Sequence, residues 1–180
     1  MVLTGTRVVL RNATEADRRK VFEWLAHSDT TPSMMGPPIF PDHKIPTWEE
    51  FCQDFLPHYF NDSQIEQGRC YIIVVDGIDI GAICHNALRF ETTDIDIWLR
   101  TEADCGKGVG SDAIKTLSDH LNREFGIKWI MISPSARNQR AIAAYKKAGF
   151  ELVPQNSHSQ FIKPEEMEYE DNVVLVKYYA

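Results

Sequence analysis

The sequence predicts one α/β (α+β) domain, with a mixed central sheet of about six to seven strands flanked by helices. Three observations predict it. Residues 6–60 read as a strand, a helix, a proline-rich loop and a second helix. Residues 69–99 read as a meander of β-rich runs. From residue 111 onward, apolar-periodic helical stretches alternate with strand-like ones.

The elements follow in order. "TRVVLRN" (6–12) reads as the first strand. "TEADRRKVFEWLAHS" (14–28) reads as a helix: Thr14 can cap it, Glu15 and Asp17 favour its positive end, and Val21, Trp24, Leu25 and Ser28 share a face. "DTTPSMMGPPIFPDHKIP" (29–46) holds five prolines and a glycine, so it reads as a long loop of the kind that often carries function. Thr47 opens a second helix, "TWEEFCQDFLPHYF", with Glu50 placed for a capping box and Pro57 set to end or kink it. "RCYIIVVDGIDIGAICHNAL" (69–88) reads as a hairpin about Asp76-Gly77. "TDIDIWL" (93–99) alternates as a strand, and "SDAIKTLSDHLNREFG" (111–126) has helical spacing. "KWIMIS" (128–133) is a buried strand by its apolar continuity, and "NQRAIAAYKKAG" (138–149) is a short helix stopped by Gly149. "FELV" (150–153) and "NVVLVKYY" (172–179) close the sheet, with a polar, acidic stretch (154–171) between them.

Composition excludes several classes. No apolar run approaches the ~20 residues that span a bilayer. The start, "MVLTGTRVVLRN", lacks a secretory apolar stretch, so a cytoplasmic protein without membrane association is expected. Cys52, Cys70, Cys84 and Cys105 form no CxxC pair and the histidines are scattered, which predicts reduced thiols and no metal site. The net charge of −7 argues against general nucleic-acid binding. Its distribution is uneven: from Arg100 to Lys147 there are nine Lys/Arg against five Asp/Glu, which leaves −11 on the rest. Such segregation suits an anion on one region and a cation on the other, although solvated faces alone would account for it.

"CGKGVG" (105–110) stands between the alternating strand and the helix that starts near Ser111. Unpaired amides at a helix N-terminus carry partial positive charge, and glycine lets them approach a phosphate closely. Cys105, Gly106, Lys107, Gly108, Val109, Gly110 and Ser111 can form such a cradle, with Lys107 adding a full charge. The run lacks the P-loop order and the full dinucleotide fingerprint, and a flexible linker is the bland alternative.

"CGKGVG" and "NQRAIAAYKKAGF" (138–150) together resemble two motifs of the GNAT acyltransferase superfamily. These are its Arg/Gln-x-x-Gly-x-Gly/Ala pyrophosphate loop and its Asn-x-x-Ala-x-x-x-Tyr-x-x-x-Gly-Phe segment. Elements from about Thr6 to Val153 fit that fold. The chain departs from the motif at Cys105, where the superfamily usually has Arg or Gln. The resemblance implies acetyl transfer from acetyl-CoA to an amine, without a metal, by a monomer or homodimer. It makes residues 100–150 an acetyl-CoA-binding core and residues 29–60 an acceptor-side loop and helix.

Roles follow from the same resemblance. Tyr145 is the expected general acid toward the departing sulfur; a packing tyrosine is the alternative. Asn138, Ala141 and Lys146 belong to the cofactor segment, and Asn138 also suits a helix N-cap. The strand entering the glycine loop would hold the pantetheine and thioester through Ile97, Trp98 and Leu99. On that strand Asp94 and Asp96 share one face by its period of two. Asp96 is the preferred base or ammonium-orienting group, with Asp94 second; an edge strand with a solvated face is the alternative.

The frame "FLPHYF", "YIIVVDGIDIGAI", "IDIWL" and "SPSARNQRAIAAYKKAGFE" is most similar to aminoglycoside 6′-N-acetyltransferases, with Asp96 at the position of their catalytic aspartate. A polycationic acceptor matches the acidic remainder of the chain. Asp29, Asp42, Glu49, Glu50, Asp54 and the acids of 165–171 could rim the acceptor cleft. Trp48, Phe40 and Tyr59 could stack on sugar rings or could simply pack the core. A protein or peptide N-acetyltransferase, a polyamine acetyltransferase and a non-enzymatic coenzyme A sensor remain as alternatives.

Overall fold

Period-two alternation gives each strand two usable faces, and the chain uses both. The structure, a computed structural model, describes residues 2–35, 44–163 and 171–180. Its strands are β1 (Val2–Thr4), β2 (Val9–Asn12), β3 (Arg69–Val75), β4 (Ile78–His85), β5 (Thr92–Leu99), β6 (Trp129–Ile132), β7 (Glu151–Leu152) and β8 (Leu175–Tyr178). They form one sheet in the order β1-β2-β3-β4-β5-β6-β8-β7. β5 and β6 run parallel; the other neighbours pair antiparallel.

The eighth strand is β1. Of the run 6–12 only Val9–Asn12 is strand, because Gly5 N–H donates to Val8 O at 2.8 Å and reverses the chain between Thr4 and Val9. Asp76 (φ 50°) and Gly77 (φ 77°) make the tight turn between β3 and β4, as the Asp-Gly pair predicts.

The helices are α1 (Arg18–Ala26), α2 (Thr31–Met35), α3 (Trp48–Asp54), α4 (Val109–Phe125) and α5 (Gln139–Lys147). The helix expected from residue 14 begins as a 3-10 turn, Glu15–Asp17. The proline-rich stretch contains α2, which periodicity did not reveal. Thr47 and Glu50 cap α3 reciprocally: Glu50 N–H reaches Thr47 Oγ1 at 3.2 Å and Thr47 N–H reaches Glu50 Oε2 at 2.8 Å. Pro57 does not kink α3 but opens a separate 3-10 turn, Pro57–Phe60.

Two cores lie on opposite faces of the sheet. Tyr71, Ile73, Ile83 and Ile95 pack with Ile114, Leu117 and Leu121 of α4 and with Ile142 and Tyr145 of α5. Cys70, Ile72, Ala82, Cys84 and Trp98 pack with Val21 and Phe22 of α1 and Phe51 of α3. Burying a large aliphatic side chain stabilises by about 1.5–3 kcal/mol. Three in one stripe of α4 therefore anchor that helix with its N-terminus at the end of β5.

Pairing between β5 and β6 covers only Thr92–Asp94 against Trp129–Met131. β5 runs on to Leu99 while β6 stops at Ile132, so the two strands part. Asn86 N–H donates to Asp94 O and Arg100 N–H to Ile80 O. By antiparallel alternation, the main-chain groups of residues 94, 96, 98 and 100 then face β4, and those of 95, 97 and 99 face the opening.

Candidate active site

That parting is the mouth of a continuous cleft of about 1530 Å³. One wall is the glycine loop and α5; the other is formed by the end of β4, α3 and the turn after it.

The loop adopts the conformation its glycines predict. Gly106 (φ 74°) and Gly108 (φ 79°) are left-handed, and Gly108 is the N-cap of α4. A Cβ on Gly106 or Gly110 would meet nothing within 4 Å, so the main chain borders open space. The first amides of α4 have no partner within the helix, and Gly106, Gly108, Gly110 and Ser111 line the cleft. A Cβ on Gly108 would stand 3.6 Å from Arg7 Nε and 3.8 Å from Lys147 Nζ. Bared amides, a helix N-terminus and the Lys147 ammonium, which lines the cleft, suit the diphosphate of coenzyme A; Arg7 stands beside Gly108 without lining the cleft.

Several expected cofactor residues take different places. Lys107 is exposed and does not line the cleft. Lys146 does not line it either; Lys147 does, because it follows Asn138, Ala141 and Ala144 on one face of α5. Val109 turns its side chain into the core, 6% exposed, so only its amide can serve. Ser111 lines the cleft. Trp98 commits its main chain to β4 opposite Ala82 and its ring N–H to Val21 O at 3.2 Å, which leaves Ile97 and Leu99 as the main-chain contacts on the opening. Leu99 O already accepts from Thr30 Oγ1 at 3.0 Å.

Cys105 closes the turn Glu102–Asp104: its N–H donates to Glu102 O at 3.1 Å and its thiol to Thr101 O at 3.6 Å. Burial pushes this thiol above the ordinary cysteine range, so it stays a neutral thiol at pH 7. The guanidinium missing at this position has a neighbour in Arg140 of α5, which forms a two-pronged ion pair with Glu102. Asn138 caps α5 through Ala141 N–H at 3.1 Å, and its Nδ2 donates to Ser33 O at 3.0 Å. Asn138 and Ala141 line the cleft.

At the centre, Asp94 and Asp96 line the cleft on the α1–α3 face, as period two predicts. Asn86 Nδ2 donates to Asp94 Oδ2 and, at 3.1 Å, to Asp96 Oδ2. Tyr59 Oη donates to Asn86 Oδ1 at 2.7 Å. Tyr145 borders the same space from α5. Burial, reinforced by the Asp96 charge, raises its phenol well above the ordinary range, so it is a proton donor at neutral pH.

The acceptor side differs from expectation in several residues. Trp48 does not line the cleft; it packs on Phe22 and Phe51 beneath the Arg19 guanidinium, 4.9 Å from its ring centre. Glu50 and Asp54 line the cleft, but Glu50 also bonds Lys44 Nζ at 2.8 Å, which holds its carboxyl below the usual range. Asp29 accepts from Glu102 N–H at 2.8 Å, and Glu49 lies off the cleft. Asp171 accepts from Ser135 Oγ at 2.9 Å and pairs with Arg137. Phe40, Asp42 and the acids of 165–170 lie outside the described residues. Sequence reasoning missed Asn86, Arg7, Arg140 and Lys147; only Lys147 had a signal, the spacing of three and four along α5.

Among the described residues no group of three or more His, Cys, Asp or Glu is placed to hold a metal ion, and no helix is long and apolar enough to cross a membrane.

Comparison with known proteins agrees with this geometry. Residues 7–151 match the family described as acetyltransferase (GNAT) domain. The aminoglycoside N(6')-acetyltransferase type 1 of Klebsiella pneumoniae is 31% identical over 156 residues, 80% of this chain and 74% of that protein. A kanamycin resistance protein of Rhizobium radiobacter is 39% identical over 57 residues, 32% of this chain and 53% of that protein. AAC(6')-Ib in complex with ribostamycin and coenzyme A superposes with TM-score 0.69 at 24% identity, over 96% of this chain and 93% of that one. The Salmonella typhimurium acetyl transferase that modifies the N-terminal serine of ribosomal protein L7/L12 superposes with TM-score 0.73 at 19% identity, over 100% of both chains. Below 25% identity these two superpositions speak to fold alone. A parted strand pair, a glycine cradle at a helix start and a matching sequence profile over most of the chain lead to one conclusion: this chain belongs to the GNAT acetyltransferase family.

Proposed function

We propose that this acetyl-CoA-dependent N-acetyltransferase acetylates a primary amine of a polycationic small molecule, the 6′-amine of an aminoglycoside. The observation that carries the reading is that the Asp94–Asp96 pair and Tyr145 line one cleft at the opening between β5 and β6, near enough for the Asp96 charge to act on the Tyr145 phenol. Residues 100–150 form the donor side of this site and residues 29–60 part of the acceptor side.

An alkylammonium has a pKa near ~10.4, so about one molecule in a thousand is neutral at pH 7. Asp94 orients the ammonium, and Asp96 takes its proton so that the nitrogen lone pair can attack the thioester carbon. As the carbon–nitrogen bond forms and the carbon–sulfur bond breaks, Tyr145 Oη gives its proton to the sulfur. The main chain of Ile97 and Leu99 aligns the donor, and the amides of 106–111 with Lys147 hold its diphosphate, with Arg7 beside Gly108 adding positive charge from the edge of the cradle.

The acceptor class rests on charge and likeness. On the acceptor side of the cleft Glu50 is matched by Lys44, which leaves Asp54, Asp94 and Asp96 against Arg89, while the remaining cations, Arg140 and Lys147, lie on α5 at the donor side. An excess of carboxylates favours a cation. The Klebsiella relative, at 31% identity, acts on aminoglycosides by its name. A panel assay that detects free thiol with kanamycin-type compounds, spermidine and basic peptides tests the reading. Turnover highest with the kanamycin-type compounds supports it; turnover with peptides alone overturns the acceptor.

A further inference from the structure

We propose that Asn86 is a positioning residue of this site: one side-chain amide, locked by Tyr59, bridges the Asp94 and Asp96 carboxylates and fixes them side by side. The inference rests on the reading of that pair as ammonium-orienting group and base.

Asn86 is the first residue past β4, and its main chain extends the ladder. Its N–H donates to Asp94 O at 3.0 Å, and its O accepts from Thr93 Oγ1 at 3.1 Å and His85 Nδ1 at 2.9 Å. Residue 86 is thus fixed opposite residue 94, with residue 96 two positions along the same face. From there Nδ2 reaches both carboxylates. The two ends of an amide are not equivalent: a flip would aim Oδ1 at two anions. Tyr59 opposes the flip, since its Oη donates to Oδ1 at 2.7 Å. Burial keeps that phenol protonated, with the Asp96 and Asp94 carboxylates acting in the same direction. The Tyr59 ring in turn lies against Gly68 (φ 140°), where a Cβ would come within 2.8 Å of Oη.

Two carboxylates on one strand face repel, and such a pair tends to keep a proton. A donor shared between them favours the doubly ionised form. Among the described residues, titratable groups that act on the pair include Tyr59, Cys84 and Tyr145. Asp54, His58 and Arg89 lie along the same cleft. None of these is an amide able to bridge both carboxylates.

The test is an NMR titration of the full chain with aspartate labelled at the carboxyl carbon, without any acceptor. In Asn86→Ala, at least one of Asp94 and Asp96 should titrate about 1–2 pH units higher than in wild type, the loss of a hydrogen bond to a charged group expressed as a pKa. Adding Asp94→Asn to Asn86→Ala should bring Asp96 back down, because the like charge is gone. Tyr59→Phe should raise the same titrations by less, and it carries the test if Asn86→Ala fails to fold. Unmoved titrations in these variants overturn the proposal. The acceptor panel, not this titration, decides the acceptor.

Discussion

The Arg7 main-chain N–H donates to the Asp112 carboxylate at 2.6 Å, and Thr6 and Val8 donate to the same side chain at 3.2 and 3.0 Å. Asp112 lies in the first turn of α4, where a carboxylate also favours the helix dipole. One side chain therefore docks the β1–β2 turn onto the helix that opens the glycine cradle and brings Arg7 beside Gly108.

Asp112→Ala should cost about 1–3 kcal/mol of stability, read as a lower denaturation midpoint, because three amides lose a charged partner. It should also weaken coenzyme A binding in calorimetry, since Arg7 loses its anchor. Unchanged affinity would remove Arg7 from the diphosphate site.

The two glycines at the start of α4 should behave differently. Gly108 is left-handed, so Gly108→Ala should destabilise by about 1–2 kcal/mol and weaken coenzyme A binding. Gly110 is helical and faces open space, so Gly110→Ala should preserve or raise stability by about 0.5–1 kcal/mol while its methyl intrudes on the cradle. Stability and affinity falling together in Gly110→Ala would contradict the assignment.

His85 predicts a pH dependence of stability. It is fully buried, and desolvation lowers its pKa to about 4. The unfolded chain binds this proton below about pH 6.5 and the folded chain only below about 4. Stability should therefore fall as pH drops from about 6.5 to 4, by up to ~3 kcal/mol from this residue. Burial lowers His120 too, which acts in the same direction. A His85→Gln variant should show a visibly flatter midpoint over that range; an identical slope would contradict the account.

Tyr145→Phe should lower kcat by about a hundredfold or more, the usual scale for a lost general acid, with little change in coenzyme A affinity. Loss of affinity with kcat retained would make Tyr145 a packing residue.

Local chemistry made most of the fold legible. The Asp76-Gly77 turn, the Thr47/Glu50 cap and the glycine-rich start of α4 each need particular residue types, so the sequence carries their signatures. Strand β1 was hidden because only three residues, Val2–Thr4, precede the turn at Gly5, too few for an alternation to show. Helix α2 was hidden by the prolines around it. In the site, period two placed Asp94 and Asp96 on one face, and motif spacing placed Tyr145. The partners that depend on register across strands were not legible. Asn86 meets Asp94 only because of where the β4–β5 ladder ends, and Arg7 meets Gly108 only through Asp112. Trp48 misled because an aromatic beside a capped helix start reads alike whether it faces a ligand or the core.

The central claim is that Asp96 deprotonates an amine at the parted strands while the glycine cradle holds the donor. Its most direct test is Asp96→Asn, comparing thiol release with the best acceptor of the panel against coenzyme A affinity by calorimetry. Turnover should fall by about a hundredfold or more with affinity little changed. Equal turnover in variant and wild type would contradict it.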